Sequence, residues 1–517
     1  MNGAQALIET LVASGVDVCF TNPGTSEMHF VAALDAVPEM RAILALFEGV
    51  ATGAADGFGR MAGRPAATLL HLGPGLGNGL ANLHNARRAH TPVVNIVGDH
   101  ATSHHVYDAP LESDVESLAR PVSAWYRSSP SAAHVAPDAA QAVAAAFGPP
   151  GGVATLVLQA DVSWNPAPGP AAPVAPASRN LPAPDAVTRA AKALRSGEPA
   201  ALLLGGTALR RRGLEAGAAA AQATGAKLLA ETFPAVLERG AGIPAVERLG
   251  YLAEFTLAQL TGIRHLVLVD TTAPVSFFAY PATPGSLVPD GCELHVLAAA
   301  GDDAEAALEA LVEELGARTT PTRPALARPE RPTGPLTAET VAAAIGALLP
   351  DGAVVSDEAN TSGLFIPGAT AGAPPHTWLC LTGGAIGQGL PVATGAAVAC
   401  PDRKVLALEA DGSAMYTLQA LWTQAREGLD VTTVVLDNHS YAILALELSR
   451  VGVEAAGPKA TGILELDRPA LDFVALARGL GVPATRATTA EEFTVQLEQA
   501  LASPGPNLIH ALVPRAV

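Results

Sequence analysis

The chain has 517 residues, of which 49% are apolar and 15% charged, and a formal net charge of −18. This length is enough for several domains, and the acidic balance argues against nucleic acid or an anionic membrane surface as a partner. The sequence contains neither an apolar run long enough to span a bilayer nor a secretory signal pattern at its start. The cysteines are isolated, without metal-binding spacing, and free thiols in an acidic chain fit a cytoplasmic protein.

Two proline-rich stretches, residues 165–185 and 318–335, are typical of extended linkers. They separate three blocks, residues 1–164, 186–317 and 336–517. Each block alternates short apolar runs with alanine-rich helical segments, the pattern of parallel strands connected by helices. We therefore predict an α/β fold with three domains, each built on a central, mostly parallel sheet flanked by helices.

The first block carries two residues that invite a functional interpretation. Glu48 follows an apolar run and opens a segment of small residues with helical spacing. An acid in the first turn of a helix is favoured by the helix dipole, so Glu48 alone is as well explained by local structure. His71 follows a predicted strand over residues 67–70 and lies in a glycine-rich loop. A histidine in this position is either a structural or a catalytic group.

The third block contains the most informative stretch, residues 404–443. A predicted strand over 405–408 leads into Asp411-Gly412-Ser413, a helix is predicted over 416–426, and a second strand over 431–436 follows. In such a β-α-β unit, the loops at the carboxyl ends of the strands lie at the edge where open α/β sheets bind ligands.

The polar residues of these loops suit a metal–diphosphate ligand. Asp411 and Asn438 offer hard oxygen ligands for Mg²⁺, and a backbone carbonyl near Ser440 offers a third. A helix start after Gly412 would present free N–H groups to the phosphates. An ordinary β-α-β unit with polar turns explains this stretch equally well when it is considered alone.

The order of these motifs resembles a known family. Ala410-Asp411-Gly412 and Asp437-Asn438 resemble the thiamin diphosphate motif, in which Gly-Asp-Gly is followed by Asn-Asn, although Ala410 and Asp437 replace a Gly and an Asn. In the first block, Asn22-Pro23-Gly24, Glu48-Gly49 and His71-Leu72-Gly73 match the pyrimidine-binding domain in order and spacing. Over its whole length the chain is thus similar to the thiamin diphosphate-dependent decarboxylase and acetohydroxyacid synthase superfamily.

The resemblance implies thiamin diphosphate and Mg²⁺ as cofactors, bound between a pyrimidine-binding domain, a middle domain and a diphosphate-binding domain. The metal would be bound by Asp411, Asn438 and the Ser440 carbonyl, and Glu48 would hydrogen-bond the aminopyrimidine ring. The Gly384 carbonyl would accept the amino group of that ring, and Ile386 would bend the cofactor. Further cofactor contacts would come from Glu358, Asn360, Thr361, Gly412, Ser413 and Ile443.

The substrate side of the resemblance is less complete. Thr25 stands where benzoylformate decarboxylase has a catalytic Ser, with Ser26 beside it, and His71 matches the first of two catalytic histidines. Ala279 replaces the second histidine. The expected walls of an apolar substrate pocket are Leu111, Phe277 and Phe278.

We therefore predict a 2-oxo acid decarboxylase similar to benzoylformate decarboxylase, with an apolar or aromatic substrate. The missing second histidine favours the alternative of a carboligase or lyase, similar to acetolactate synthase or to 2-hydroxyacyl-CoA lyase. A non-catalytic subunit is a third hypothesis, which Ala410 and Asp437 favour and which Glu48, Asp411 and Asn438 oppose.

The resemblance also implies assembly and a further cofactor question. Active sites of the family lie between subunits, so we expect a homodimer or homotetramer. The middle block has the position of the domain that binds FAD in some relatives, yet nothing else in its sequence calls for a flavin. FAD is a possible but not an expected ligand.

Overall fold

The computed structural model describes residues 1–281, 283–453 and 456–515. The described strands form three sheets, one centred in each block. The predicted α/β fold with mostly parallel sheets and flanking helices is confirmed. Within the described ranges, no helix is long and apolar enough to cross a membrane.

The first sheet is parallel throughout and has the strand order β2-β1-β3-β4-β6-β5. Its strands are β1 (Val18–Asn22), β2 (Arg41–Leu44), β3 (Ala66–Leu70), β4 (Val93–Asp99), β5 (Trp125–Ser128) and β6 (Val153–Gln159). The helices of this block are α1 (Gly3–Ala13), α2 (Met28–Ala33), α3 (Glu48–Ala62), α4 (Leu72–Arg88), α5 (Val115–Ala119), α6 (Val135–Phe147) and α7 (Ala160–Trp164).

The middle sheet is also parallel and has the order β10-β8-β7-β11-β12. Its strands are β7 (Ala200–Leu204), β8 (Lys227–Ala230), β10 (Glu247–Arg248), β11 (His265–Val269) and β12 (Glu293–Ala298). The strand β9 (Leu237–Arg239) lies between β8 and β10 in the chain but belongs to the third sheet. The helices are α8 (Pro184–Leu194), α9 (Arg211–Thr224), α10 (Ala253–Leu260) and α11 (Ala304–Glu314).

The third sheet has the order β17-β18-β16-β15-β13-β14-β9, with β9 as its antiparallel edge. Its other strands are β13 (Val354–Glu358), β14 (His376–Cys380), β15 (Val405–Ala410), β16 (Val431–Asp437), β17 (Ala484–Ala487) and β18 (Asn507–Leu512). The helices are α12 (Ala338–Leu348), α13 (Ile366–Ala369), α14 (Gly389–Ala399), α15 (Asp411–Ala414), α16 (Ala420–Glu427), α17 (Ala442–Arg450), α18 (Pro458–Gly462), α19 (Phe473–Gly479) and α20 (Ala490–Ala502).

The helix predicted over residues 416–426 begins later than expected, at Ala420. The Thr417 hydroxyl donates to the Gly387 carbonyl, 3.0 Å away, and the Tyr416 side chain packs against Gly387. These long-range contacts hold the segment in a turn, which the local periodicity could not indicate.

Helices α3 and α14 join the first sheet to the third. Nearly every residue of α14 is buried, as expected for a helix that is apolar on all sides. The two backbones approach so closely that a Cβ on Gly395 would collide with the Ala54 carbonyl oxygen, and one on Gly57 with that of Val392. Side chains of both blocks consequently form one continuous core.

A buried ion pair strengthens the same junction. Arg60 of α3 binds Asp56 one turn earlier, and both side chains are almost fully buried. The Arg60 guanidinium also donates to the Cys380 carbonyl at 2.8 Å and to the Thr382 hydroxyl at 2.9 Å. Because its hydrogen bonds reach the end of β14, the pair fixes α3 against the third block.

The middle sheet borders a cavity of about 1130 Å³ that residues of all three blocks line. At this edge the Thr207 N–H donates to Asp270 at 2.8 Å, and the Gly206 N–H donates to Glu231 at 3.3 Å. Burial raises the pKa of Glu231 from 4.5 to about 7. The N–H groups of this turn are therefore already used by the protein's own carboxyl groups.

Replacing Gly395 by Ala should destabilise the junction of the first and third blocks. The new methyl group meets backbone that cannot move without shifting α3, so we expect a loss of about 1–3 kcal/mol in the free energy of unfolding. Urea denaturation measures it. Gly479→Ala, at an exposed helix position with open space around it, is the matched control and should cost nothing. Equal stability of both variants would contradict the close contact.

Replacing Glu231 by Gln should stabilise the protein only at higher pH. The folded-state pKa of this carboxyl lies above its ordinary value, so its contribution to stability is complete below about pH 4.5 and is lost as the pH rises through about 7. At about pH 8 we expect Glu231→Gln to gain about 1–3 kcal/mol, seen as a higher melting temperature. Near pH 4.5 this gain in stability should vanish. The control Glu313→Gln, at an exposed residue of α11, should show no gain at either pH.

Candidate active site

A crevice opens in the first sheet where the strand order reverses. The chain leaves β1 towards β2 on one side and leaves β3 towards β4 on the other, so the loops after β1 and β3 diverge. Such a reversal is where open parallel sheets bind ligands. The loop after β1 carries Thr25, Ser26 and Glu27, and the loop after β3 carries His71.

Glu27 and His71 meet across this crevice. The Glu27 carboxyl is fully buried, and one of its oxygens lies 2.8 Å from His71 Nδ1 and accepts the Gly24 N–H at 2.7 Å. Its other oxygen accepts the Ser26 hydroxyl at 2.6 Å. Because the carboxylate of Glu27 acts as acceptor in this contact, His71 Nδ1 is the donor and Nε2 is left for another partner. Thr25 is exposed beside this group.

Glu48 lies close to the same histidine. It is the first residue of α3, its side chain is buried, and its carboxylate accepts the Asn78 amide N–H at 3.0 Å. A Cβ placed on Gly75 would be 3.1 Å from Glu48 Oε1 and 3.3 Å from His71 Cβ. The absence of a side chain at Gly75 thus lets the carboxylate and the imidazole approach the same turn of α4.

The third sheet repeats the reversal between β13 and β15. The loop after β13 carries Asn360 and Thr361, and the turn after β15 carries Asp411, Gly412 and Ser413. The Asn360 amide donates to the Ser413 hydroxyl at 2.9 Å and so bridges the two diverging loops. Gly412 packs against the Tyr441 ring, which leaves no room for a side chain there.

Asp411 lies at the centre of this crevice. Its carboxylate accepts the N–H groups of Gly412 at 2.8 Å and Ser440 at 3.2 Å. Burial and the neighbouring Asp437 carboxyl raise the pKa of Asp411 from 3.8 to about 7. Burial also acts on Asp437, but hydrogen bonds from buried His510, 2.7 Å away, and from Asp411 outweigh it and lower the pKa of Asp437.

Asn438 and Ser440 have buried oxygens directed into the same place. The Asn438 amide nitrogen donates to the Ser362 hydroxyl at 3.1 Å, which fixes its orientation and leaves the amide oxygen without a protein partner. The Ser440 hydroxyl is also buried without a partner. Unpaired buried oxygens beside a buried carboxyl pair are unfavourable unless a cation or water binds them. This donor set fits a hard divalent cation such as Mg²⁺.

Glu358 faces inward, away from the loop that was expected to contact a diphosphate. Its carboxylate accepts the N–H groups of Gly387 at 2.8 Å and Gly389 at 2.6 Å, at the start of α14. Burial raises its pKa to about 7 and also raises that of its strand neighbour Glu409. Glu358 therefore positions the loop that carries Gly384 and Ile386.

Helix α4 ties this loop to the first block. Asn82 donates to the Gly49 carbonyl at 2.8 Å and to the Gly387 carbonyl at 3.1 Å, while Asn85 donates to the Ala385 carbonyl at 2.8 Å. Among the described residues, no hydrogen bond joins Glu48 or His71 to Asp411 or Asn438. The Glu27–His71–Glu48 group is thus assembled within the first block and the Asp411–Asn438–Ser440 group within the third.

The predicted pocket residues are accessible. Gly384 has φ of 74°, and a side chain on it would meet the Phe277 ring at 2.9 Å. Phe277 packs on Phe233, Tyr251 and Phe278, and both Phe277 and Phe278 are about half exposed. Leu111 is exposed on the loop before α5, and Ile443 is partly buried in the first turn of α17.

Several residues of this site were not singled out from the sequence. Glu27 lies in the loop after β1, and an acid near a strand end is common in any α/β protein. Asn78, Asn82 and Asn85 recur at helical spacing along α4. Asparagine is a poor helix former. Three asparagines on one helix face could therefore have predicted that this face makes long-range hydrogen bonds.

Comparisons with known proteins agree with this geometry. The thiamine pyrophosphate enzyme N-terminal TPP binding domain matches residues 1–117, and the C-terminal TPP binding domain of the same family matches residues 368–511. The chain is 61% identical to the "Putative acetolactate synthase large subunit IlvX" of Mycobacterium tuberculosis over 100% of both chains. It is 32% identical to benzoylformate decarboxylase of Pseudomonas aeruginosa, over 98% of this chain and 97% of the relative.

A solved structure gives the same result. The thiamine diphosphate-dependent 4-hydroxybenzoylformate decarboxylase of Rhodococcus jostii RHA1 superposes with a TM-score of 0.86 at 25% identity, over 99% of each chain. One crevice has an acid at a helix start, and the other has a buried set of oxygen donors. A cofactor with a ring and a diphosphate requires both. The chain belongs to the thiamine pyrophosphate enzyme family, whose members are decarboxylases or carboligases.

Proposed function

We propose that this enzyme decarboxylates 2-oxo acids that carry an apolar or aromatic substituent. The observation that carries the proposal is the contact between buried Glu27 and partly exposed His71, beside Glu48. A histidine with one nitrogen held by a buried carboxylate has the other nitrogen free for proton transfer to a substrate, which decarboxylation requires. The aromatic side chains of Phe277 and Phe278 beside Gly384 supply an apolar wall for the substituent.

The cofactors would be bound by the two crevices. Thiamin diphosphate, when bound, supplies the nucleophile that attacks the substrate carbonyl and the electron sink for the departing carboxylate. We assign Mg²⁺ to Asp411, Asn438 and Ser440, since the buried Asp411 carboxylate supplies negative charge and the Asn438 and Ser440 side-chain oxygens are buried without a protein partner. Asn360, Thr361, Gly412 and Ser413 line the same crevice for the diphosphate, and Gly384, Ile386 and Ile443 are assigned to the ring side.

The protein's own residues have distinct tasks in this mechanism. Glu48 would share a proton with the cofactor ring, and the Asn78 amide fixes its carboxylate in place. His71 delivers or accepts a proton at Nε2, with Glu27 keeping its other nitrogen protonated. Ser26 and Thr25 lie at the entrance, where hydroxyl groups can bind the substrate carboxylate.

A second copy of the chain is expected to complete each site. The Glu48 half and the Asp411 half lie on different blocks and make no direct hydrogen bond among the described residues, which fits a site assembled from the first block of one subunit and the third block of another. A homodimer is the smallest such assembly, and a homotetramer contains two of them.

Carboligation is the second candidate, and Ala279 is the observation that favours it. This small residue offers no proton where the resemblance places a second histidine, and condensing two carbonyl compounds needs fewer proton transfers. The relative with 61% identity is named as an acetolactate synthase subunit. A lyase acting on 2-hydroxyacyl thioesters is compatible with the same residues.

FAD is not expected in the middle cavity. The N–H groups of Gly206 and Thr207, which would have to bind a diphosphate, donate to Glu231 and Asp270 instead. Two carboxyl groups in this wall oppose a further anion.

The decisive experiment is CO₂ release with thiamin diphosphate and Mg²⁺ across a panel of 2-oxo acids that includes pyruvate and benzoylformate. We expect CO₂ and an aldehyde from aromatic acids. Glu48→Gln should abolish this turnover, because an amide cannot share a proton with the cofactor ring, whereas the same change at exposed Glu39 should have no effect.

Other products would redirect the assignment. Acetolactate from pyruvate would establish the carboligase. Cofactor binding without CO₂ from any acid would point to thioester cleavage. Absence of any thiamin-dependent turnover, together with a Glu48→Gln variant identical to wild type, would establish a non-catalytic subunit.

Glu27→Gln should lower kcat about 100-fold with little change in KM or in cofactor affinity. The amide keeps the shape of the side chain and can still accept the Gly24 N–H. It no longer holds His71 in a single tautomer, because an amide can donate as well as accept. Steady-state kinetics on the best acid of the panel measures the two constants separately. A variant with unchanged kcat would show that Glu27 only supports the loop, and a matching rise in KM would assign it to substrate binding.

A further inference from the structure

Three side chains converge on the edge of the middle sheet, on the face of β12 opposite to the cavity. His265 is the first residue of β11. Glu293 and His295 lie two residues apart on the edge strand β12, so their side chains are on the same face of the sheet. His265 is directly opposite Glu293 in the parallel pairing. Because side chains alternate between the faces of a strand, Val296 lines the cavity while its neighbour His295 points away from it.

The spacing of their ligand atoms matches a metal ion. His265 Nδ1 and His295 Nε2 are 3.1 Å apart, and Glu293 Oε2 lies 3.7 Å and 3.9 Å from them. In the plane of these three atoms, the point equidistant from them is about 2.1 Å from each. This is the bond length of Zn²⁺ to imidazole and carboxylate. Ordinary side-chain packing does not require three donor atoms on such a triangle.

A fourth residue prepares His265 for this task. The Glu198 carboxylate lies 3.1 Å from His265 Nε2 and can accept a hydrogen bond from an N–H there. His265 Nδ1 is then the unprotonated nitrogen, with its lone pair directed at the triangle. A carboxylate that holds the outer nitrogen of a ligand histidine is the usual support of metal sites in proteins.

The local charges fit a cation. Glu198 and Glu293 bring two negative charges to the cluster. Arg264 Nε lies 3.9 Å from one oxygen of the Glu198 carboxylate, and His265 Nε2 lies 3.1 Å from the other.

We propose that His265, His295 and Glu293 form a binding site for a divalent transition-metal ion of the imidazole-preferring kind, represented by Zn²⁺. Two histidines and one carboxylate leave the remaining coordination positions to water. The ion would join β11 to the edge strand β12 and stabilise the middle domain. The site is separate from the Asp411 crevice, whose oxygen donors suit Mg²⁺.

The test uses the full-length protein saturated with thiamin diphosphate and Mg²⁺, so that the Asp411 crevice is filled. Zn²⁺ is titrated in competition with a chromophoric chelator, and melting temperature is recorded with and without Zn²⁺. We expect about one tightly bound Zn²⁺ per chain and a higher melting temperature. Co²⁺ in its place should give visible absorption bands of a low-coordinate nitrogen and oxygen site.

Three variants identify the ligands. Glu293→Gln removes one ligand from a side chain that is 70% exposed, so the protein should fold normally and lose the tight Zn²⁺ and the thermal shift. Glu198→Gln should weaken binding about 10–100-fold without changing the stoichiometry, because the amide no longer fixes the tautomer of His265. His134→Ala, at an exposed histidine of the first block, should leave binding unchanged.

The opposite results overturn the proposal. If Glu293→Gln binds Zn²⁺ with the stoichiometry and affinity of wild type, the metal lies elsewhere. If the wild type binds no Zn²⁺ in competition with the chelator, the two imidazoles form only a hydrogen bond with each other. Neither result depends on the substrate of the enzyme.

Discussion

The close contact between α3 and α14 is the constraint on which the rest of the molecule depends. Gly57 and Gly395 allow two helices from different sheets to pack at backbone distance, and the Asp56–Arg60 pair fixes their junction to β14. Glu48 begins α3, and the turn held by Glu358 begins α14. The same contact that builds the core therefore also positions the start of the helix that carries Glu48 and the turn that Glu358 holds.

All three sheets reverse their strand order, and each reversal is bridged by a polar contact. Glu27 meets His71 in the first sheet, Thr207 meets Asp270 in the middle one, and Asn360 meets Ser413 in the third. The middle crevice differs from the third because its N–H groups are occupied by carboxylates of the chain. One architecture thus provides three crevices whose polar side chains differ.

The departure of Asp437 from the family pattern has a structural explanation. A carboxyl at this position brings a second acid beside Asp411, which would be costly in a buried place without compensation. Buried His510 of β18 binds Asp437 at 2.7 Å and supplies that compensation. The substitution and its partner lie 73 positions apart along the chain, so the sequence around Asp437 could not reveal that the acid is balanced.

The sequence by itself determined the fold class and the elements that carry Glu48, His71, Asp411 and Asn438, because apolar periodicity and motif order are local properties. Only the tertiary structure decided that Glu27 holds His71, that Glu358 faces inward, and that the segment before Ala420 is a turn. It also brought His265, Glu293 and His295 together from two strands. These features depend on contacts between distant residues, and local patterns contain no information about which distant side chain will satisfy a buried polar group.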